Sequence, residues 1–371
     1  MSRPAVRDDL AHLEGYHSPQ LDVDVRLNTN EAPAPPPAAF TEAVKAAISD
    51  LQWHRYPDRS AAQLRSAIAE LHDVQQDRVF CANGSNEVLQ TILLAYAGPE
   101  RSVATFEPTY AMHSHIARIT GATSVVGERR PDFTLDLDEV DRIIAQHRPV
   151  VTFVCSPNNP TGTTETRENV LQVLERVEAI DGLLVVDEAY GQFAPWSATE
   201  LLEEARSLVV TRTFSKTWAM AGARLGYLLG PTWLVAELDK VVLPYHLDSV
   251  KQAAGLAALD FVEAMDRRVS SIVEERGRLE VAMVDLGATV WPSGANFILF
   301  RPPAVGVGAP DGQAVWQALV DQSVLVRNTS SWDRLDGCLR VTIGTKNDND
   351  RFLEALTKAL DTPNDDAQGA G

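Results

Sequence analysis

The chain has 371 residues, 45% hydrophobic and 23% charged, a globular composition with room for one large domain and one smaller one. Asp and Glu outnumber Lys and Arg by 51 to 33, and the net charge of −18 argues against general binding to nucleic acid or anionic membrane. Three scattered cysteines (Cys81, Cys155, Cys338) form no CxxC pair, the N-terminus has no signal-peptide core, and no run of about 18 apolar residues occurs, so a reduced, cytoplasmic protein without membrane span or metal site is expected.

Residues 1–30 read as an irregular N-terminal arm with one charged helical patch, and Glu31 to Ala39 as an extended Pro-rich stretch. AFTEAVKAAISDL carries helical spacing, RYPDRSA is punctuation, and Ala61 to His72 is a second helix. From Val79 the texture changes. VFCANGS, SVATFEP, VVTFVCSPNNPTG, LLVVDEAY and SLVVTRTFSK are short β-rich runs, separated by helices such as NEVLQTILLAYA, YAMHSHIARITG and Glu168 to Ala179. That alternation argues for an α/β fold whose mainly parallel sheet is flanked by helices. Beyond Pro244 a helical stretch runs from about Ser249 to Leu286. Strands in GATVWPSGANFILFR, SVLVRN and CLRVTIGT follow, with a helix at Asp311 to Gln322, as in a smaller α+β domain. The expected layout is an arm over 1–30 joining the small domain, a large domain over 31–248, the small domain over 249–361 and a disordered tail over 362–371.

The common catalytic signatures are missing: there is no GxxxxGK[ST], HExxH or GxSxG, and the GxG at Gly306 and Gly308 meets Asp311 where a third glycine belongs. His113 and His115, two apart on a helix, cannot share a face, and the eight histidines are expected at the surface or partly buried.

Polar clusters instead gather where the parallel strands end, the edge at which open α/β sheets bind ligands. Gly84, Ser85 and Asn86 form a strand-to-helix turn that either caps the helix through Ser85 or presents free N–H groups to a phosphate. SPNNPTG, from Ser156 to Gly162, is either a plain turn or a rigid display of side-chain amides. Asp187, in DEAY, ends a buried strand, where a carboxylate is costly unless it has a salt bridge, a cap or a functional partner. Lys216 follows the strand of SLVVTRTFSK. Lysine is seldom buried without a task, and a desolvated lysine has a lowered pKa and forms imines with carbonyls. Arg224, eight positions later, offers a fork for phosphate. Together these are the parts that hold pyridoxal phosphate. Lys216 would meet the aldehyde, Asp187 the protonated ring nitrogen, and Asn159 and Tyr190 the ring hydroxyl. Gly84, Ser85, Asn86, Ser215 and Arg224 would meet the phosphate.

Asn159 of NPTG, Asp187 28 residues later and Lys216 29 residues beyond that have the order and spacing of the fold-type I pyridoxal-phosphate-dependent aminotransferases, which the chain resembles over nearly its whole length. Within that family LNTNEAP, HRYPD, NGSNEVLQ, FEPTYAMH, RTFSKTWAMAGARLGYL, LPYHLDSVKQAAGLAAL and VLVRN…CLRVTIGT are most similar to the histidinol-phosphate aminotransferases. The resemblance implies catalytic roles for Lys216, Asp187 and Tyr190, and a homodimer in which Tyr56 reaches the cofactor phosphate of the other subunit. It also implies that Tyr110 stacks on the cofactor ring, that Arg340 holds an amino-acid carboxylate, and that Arg327 adds charge for a substrate phosphate. Tyr16, Asn159 and Tyr245 would lie near the substrate. Each has a plainer alternative: a core aromatic for Tyr110, a turn residue for Tyr56, strand-end salt bridges for the arginines. NTNEAP puts Ala32 where the family often has Asn, and NTSSWDRLDG after Arg327 is undiagnostic; both departures concern substrate choice. The implied reaction converts L-histidinol phosphate and 2-oxoglutarate to imidazole acetol phosphate and L-glutamate, a step of histidine biosynthesis. Rivals are an aromatic amino-acid aminotransferase, an amino-acid-phosphate decarboxylase of the same fold, and a regulatory module that has lost turnover.

Overall fold

The computed structural model describes residues 4–11, 13, 15, 20–304 and 312–361; Tyr16 and the tail expected over 362–371 lie outside them. In chain order the strands are β1 (Val25–Leu27), β2 (Val79–Ala82), β3 (Ser102–Glu107), β4 (Thr123–Glu128), β5 (Val151–Cys155), β6 (Leu183–Asp187), β7 (Leu208–Thr213), β8 (Gly226–Leu229), β9 (Thr289–Val290), β10 (Phe297–Arg301), β11 (Val324–Asn328) and β12 (Leu339–Thr342). The helices are α1 (Ala38–Ser49), α2 (Ala62–Leu71), α3 (Ser85–Tyr96), α4 (Met112–Ile119), α5 (Leu137–His147), α6 (Arg167–Glu178), α7 (Thr232–Val241), α8 (Ser249–Leu259), α9 (Val262–Asp285), α10 (Gly312–Asp321) and α11 (Lys346–Asp361).

Seven strands form one sheet in the order β2-β8-β7-β6-β5-β3-β4, parallel except for β8, which runs antiparallel to both its neighbours. Leu183 and Val185 of β6 pack into a core with Leu89 and Ile92 of α3 and Leu234 and Leu238 of α7. The alternate residues Leu184 and Val186 pack on the other face with Val140 and Ile143 of α5 and Val170 and Leu174 of α6. Burial on both faces is why these strands read as unbroken apolar runs. The reversal of β8 matters for the site: the residues entering it, Arg224 and Leu225, stand at the edge where the parallel strands leave the sheet.

The second sheet has the order β1-β11-β12-β10-β9. β1 lies parallel to β11, with Val25 opposite Val324, while the other pairs are antiparallel. The arm is therefore less irregular than its sequence reads. Val25 and Leu27 are buried and Arg26 is exposed, a two-residue alternation too short to announce a strand until β11 pairs with it. The sequence does not announce β4 or β8 either: β4 is an edge strand with only two buried residues, and β8 has four residues. The helical stretch after Ser249 breaks at Asp260 and Phe261, where the Phe261 ring meets Phe40 edge-on at 6.0 Å. Among the described residues no helix is long and apolar enough to cross a membrane.

Candidate active site

A cavity of about 430 Å³ lies over the edge where β3, β5, β6 and β7 end. Its opposite wall is made by residues 28–30 of the arm with Glu31 just beyond it, and by Arg327 and Arg340 of the small sheet. Ser85, Asn86, Tyr110, Asn159, Asp187, Tyr190, Ser215, Lys216 and Arg224 all line it, so residues spread over much of the chain meet in one space.

Lys216 stands three residues past β7, with its Nζ donating to the Thr29 carbonyl at 3.3 Å. Burial lowers its pKa to about 8; the positive charges of Arg340 and Arg224 act in the same direction and Glu31 opposes them. An ordinary lysine is almost wholly protonated at that pH, whereas here about half of the amine is free to act as a nucleophile or base.

Asp187, the last residue of β6, is 1% exposed. Its Oδ1 accepts from the Ala189 N–H at 3.1 Å and from Thr211 Oγ1 at 3.3 Å, and its Oδ2 lies 3.0 Å from His113 Nε2. For His113 this corrects the expectation that the histidines lie at the surface or are partly buried. His113 is fully buried, stacked on Phe153 with ring centroids 4.5 Å apart. Its partner comes from a strand 74 residues later, which helical spacing could not reveal. The second carboxylate of DEAY, Glu188, is absent from the cavity lining and pairs with buried Arg212 at 2.7 Å.

The two asparagines of SPNNPTG divide the alternatives between them. Asn158 is fully buried and locks the turn: its Nδ2 donates to the Pro108 carbonyl at 2.9 Å and to Thr161 Oγ1 at 2.8 Å, and its Oδ1 accepts from Thr109 Oγ1 at 2.8 Å. Asn159 faces the cavity, where its Oδ1 accepts from Arg340 Nη1. The Tyr190 hydroxyl accepts from Asn30 Nδ2 at 2.9 Å, and burial pushes its pKa up to about 12, so the phenol keeps its proton as a donor.

Gly84 precedes α3 with φ 82°, and no side chain caps that helix, so Ser85 is its first residue rather than its cap. The first-turn N–H groups of an uncapped helix suit an anion. A Cβ on Gly84 would stand 2.8 Å from Arg224 Nη2, and one on Gly226 would stand 2.4 Å from the Ser85 nitrogen. The glycines therefore let guanidinium and helix end share one hollow. Arg224 Nη1 donates to Ser215 Oγ at 3.5 Å, which adds a hydroxyl to the hollow. The Tyr110 hydroxyl donates to Asn86 Oδ1 at 3.1 Å from the adjoining wall. This donor set fits pyridoxal phosphate: a cation, N–H groups and a hydroxyl for a phosphate ester, an amine of lowered pKa for an aldehyde, and a buried carboxylate for a protonated ring nitrogen. Among the described residues no group of metal-ligating side chains occurs.

Arg327 and Arg340 are directly opposed across β11 and β12, so both side chains emerge on one face of the sheet and line the cavity. Arg340 is buried, donating to the Asn28 carbonyl at 3.1 Å, with its Cζ 5.1 Å from the Phe297 ring centroid. Like charges directly opposed repel, and an anion with more than one negative charge relieves that repulsion. Tyr56 and Tyr245, by contrast, do not reach this cavity. They stack on each other, centroids 4.5 Å apart, and Tyr56 is 79% exposed. Sequence reading missed Asn28, Thr29, Asn30, Glu31, Thr109 and His113. The one available signal was the polar NTNE cluster that follows the short VRL run.

The class I and II aminotransferase family matches residues 23–356. The chain is 44% identical over 368 residues to the histidinol-phosphate aminotransferase of Frankia casuarinae, covering 96% of this chain and 90% of that one. It is 41% identical over 367 residues to that of a Mycobacterium species, covering 96% and 94%. The fold is similar to the crystal structure of the Sinorhizobium meliloti histidinol-phosphate aminotransferase in complex with pyridoxal-5'-phosphate, with a TM-score of 0.82, 23% identity and 91% of each chain covered.

Proposed function

The chain belongs to the class I and II aminotransferases, and from that premise we propose that it is a pyridoxal-phosphate enzyme exchanging an amino group between L-histidinol phosphate and 2-oxoglutarate. The observation that carries the substrate is the opposed pair Arg327 and Arg340 inside the cavity that holds Lys216. The names of the relatives at 41–44% identity support it.

Pyridoxal phosphate, when bound, supplies an electron sink for negative charge developing at the substrate Cα. Lys216 would bear its aldehyde, and Arg224, Ser215 and the N–H groups after Gly84 its phosphate. Asp187 would hold a proton at the ring nitrogen, while His113, Thr211 and the Ala189 N–H fix the direction of the carboxylate. Asn159 and Tyr190 would hold the ring oxygen and Tyr110 the ring face, all three lining the cavity. Lys216 Nζ would take the proton from the substrate Cα as general base and return it as acid, a task suited to an amine whose pKa burial lowers to about 8. Arg340 binds the carboxylate of glutamate, and Arg340 with Arg327 binds the phosphate dianion of histidinol phosphate. The Tyr56–Tyr245 stack is exposed, as are Trp53 and Leu243, three and two positions from it along the chain, and it would meet a second copy of the chain whose phosphate site Tyr56 completes. The enzyme works in the cytoplasm as a homodimer.

Two measurements test this reading. Borohydride should fix the cofactor to Lys216, and attachment to another lysine would remove the site. Histidinol phosphate should exceed phenylalanine and tyrosine in kcat/KM; a preference for phenylalanine would make the enzyme an aromatic aminotransferase.

A further inference from the structure

The connection between β11 and β12, residues 329–338, sends one aromatic side chain into the cavity, Trp332. The Arg327 guanidinium lies over its ring, Cζ 5.5 Å from the centroid, within cation–π distance. The indole also packs on a small cluster of Phe133, Leu299, Leu335 and Cys338, which joins a residue of the large domain to three of the small one. The loop is folded on itself. The Trp332 N–H donates to the Thr329 carbonyl at 2.9 Å, the Leu335 N–H to the Trp332 carbonyl at 3.0 Å, and Thr329 Oγ1 to the Cys338 carbonyl at 2.8 Å. Arg334 then ties it to the large domain, its guanidinium donating to the carbonyls of Glu107 at 3.3 Å and Arg130 at 3.2 Å. Glu107 ends β3, three residues before Tyr110.

A half-buried arginine facing another arginine has reason to leave. The neighbouring charge repels it, and holding a long side chain still costs rotamer entropy. A π-face under the guanidinium counters both, and the face is useful only if it is itself immobile, which the Phe133 cluster and the Arg334 tie accomplish. The geometry points to Trp332 as a specificity-determining residue: it keeps Arg327 beside Arg340, so that the pair favours a phosphate dianion over a single carboxylate. Arg334 is a positioning residue for Trp332. This inference rests on the reading of the substrate as L-histidinol phosphate.

The test compares holoenzyme variants Trp332→Leu and Trp332→Phe. Leucine keeps apolar bulk and loses the π-face; phenylalanine keeps both. Trp332→Leu should raise KM for histidinol phosphate about tenfold with kcat changed less than about twofold, while Trp332→Phe stays within about threefold of wild type. In a single-turnover half-reaction phenylalanine should lose less than about twofold in either variant. In an Arg327→Leu background, Trp332→Leu should add less than about twofold, because its effect runs through Arg327. The inference is overturned by equal losses on both substrates, by a kcat loss with unmoved KM, or by equal behaviour of the leucine and phenylalanine variants. Should Trp332→Leu fail to retain the cofactor's absorbance, Trp332→Met against Trp332→Tyr makes the same comparison. A wild type unable to turn over histidinol phosphate overturns the substrate reading itself, a result separable from a wild type that does so with indifferent Trp332 variants.

Discussion

Gly84→Ala separates backbone strain from cofactor affinity in one substitution. At φ 82° and ψ 165° the residue sits in a region that is essentially glycine-only, and alanine there costs about 1–3 kcal/mol. The new Cβ would stand 2.8 Å from Arg224 Nη2, the free end of a flexible side chain, so the guanidinium swings aside while the helix stays in place. The phosphate then loses a charge-assisted hydrogen bond worth about 1.5–3 kcal/mol, or roughly 10- to 150-fold in Kd. Strain is present with and without cofactor and cancels from the affinity; the displaced arginine does not. Titration of the cofactor-free protein with pyridoxal phosphate, followed by absorbance, reads the second effect, and thermal unfolding of the cofactor-free forms reads the first. Gly84→Ala should show both losses, and Arg224→Ala the affinity loss with little change in cofactor-free stability. An alanine variant that binds pyridoxal phosphate as tightly as wild type would falsify the assignment of Arg224 to the phosphate.

The lowered pKa of Lys216 predicts that capture of the cofactor aldehyde speeds up as pH rises through about 8, because the neutral amine accumulates above its pKa. Arg340→Met, which removes a charge that lowers this pKa, should move the midpoint upward, and a flat rate between about pH 7 and pH 9 contradicts the argument. Asp187→Asn should keep the fold and lose most of kcat, since an amide cannot hold a pyridinium proton; near-normal kcat at saturating substrate removes that role. Arg327→Leu should cut kcat/KM for histidinol phosphate by at least about a hundredfold and affect phenylalanine far less, whereas equal losses would make Arg327 structural. Tyr56→Phe should weaken cofactor retention. Mixed assemblies of inactive Tyr56 and Lys216 variants should regain activity, and no recovery after verified mixing means the tyrosine serves its own subunit.

The residues readable from the sequence share one property. Asn159, Asp187 and Lys216 each follow a run of β-branched and apolar residues, and such a run marks a strand buried on both faces, whose end must carry whatever polar group the site needs. Gly84 was readable for a related reason, because a glycine between a buried strand and a helix marks a tight turn, and here its φ is 82°. His113 had no such mark. On its helix it looks like His115, and only Asp187 and Phe153 distinguish it. Asn30 was equally silent: its amide meets Tyr190 because β1 pairs with a strand about 300 residues away.

Local chemistry along the chain therefore determined the alternation of strands and helices, the order of lysine, carboxylate, amide and arginine, and with them the class of cofactor. Tertiary structure decided the direction of β8, which sets Arg224 over Gly84, and the choice of Asn159 over Asn158 as the residue facing the cavity. It also decided the opposition of Arg327 to Arg340 and the lowered pKa of Lys216. The division has a physical cause. Periodicity, propensity and turn chemistry act between residues a few positions apart, whereas desolvation, Coulomb interaction and strand register act between groups close in space, and only the folded chain brings those together.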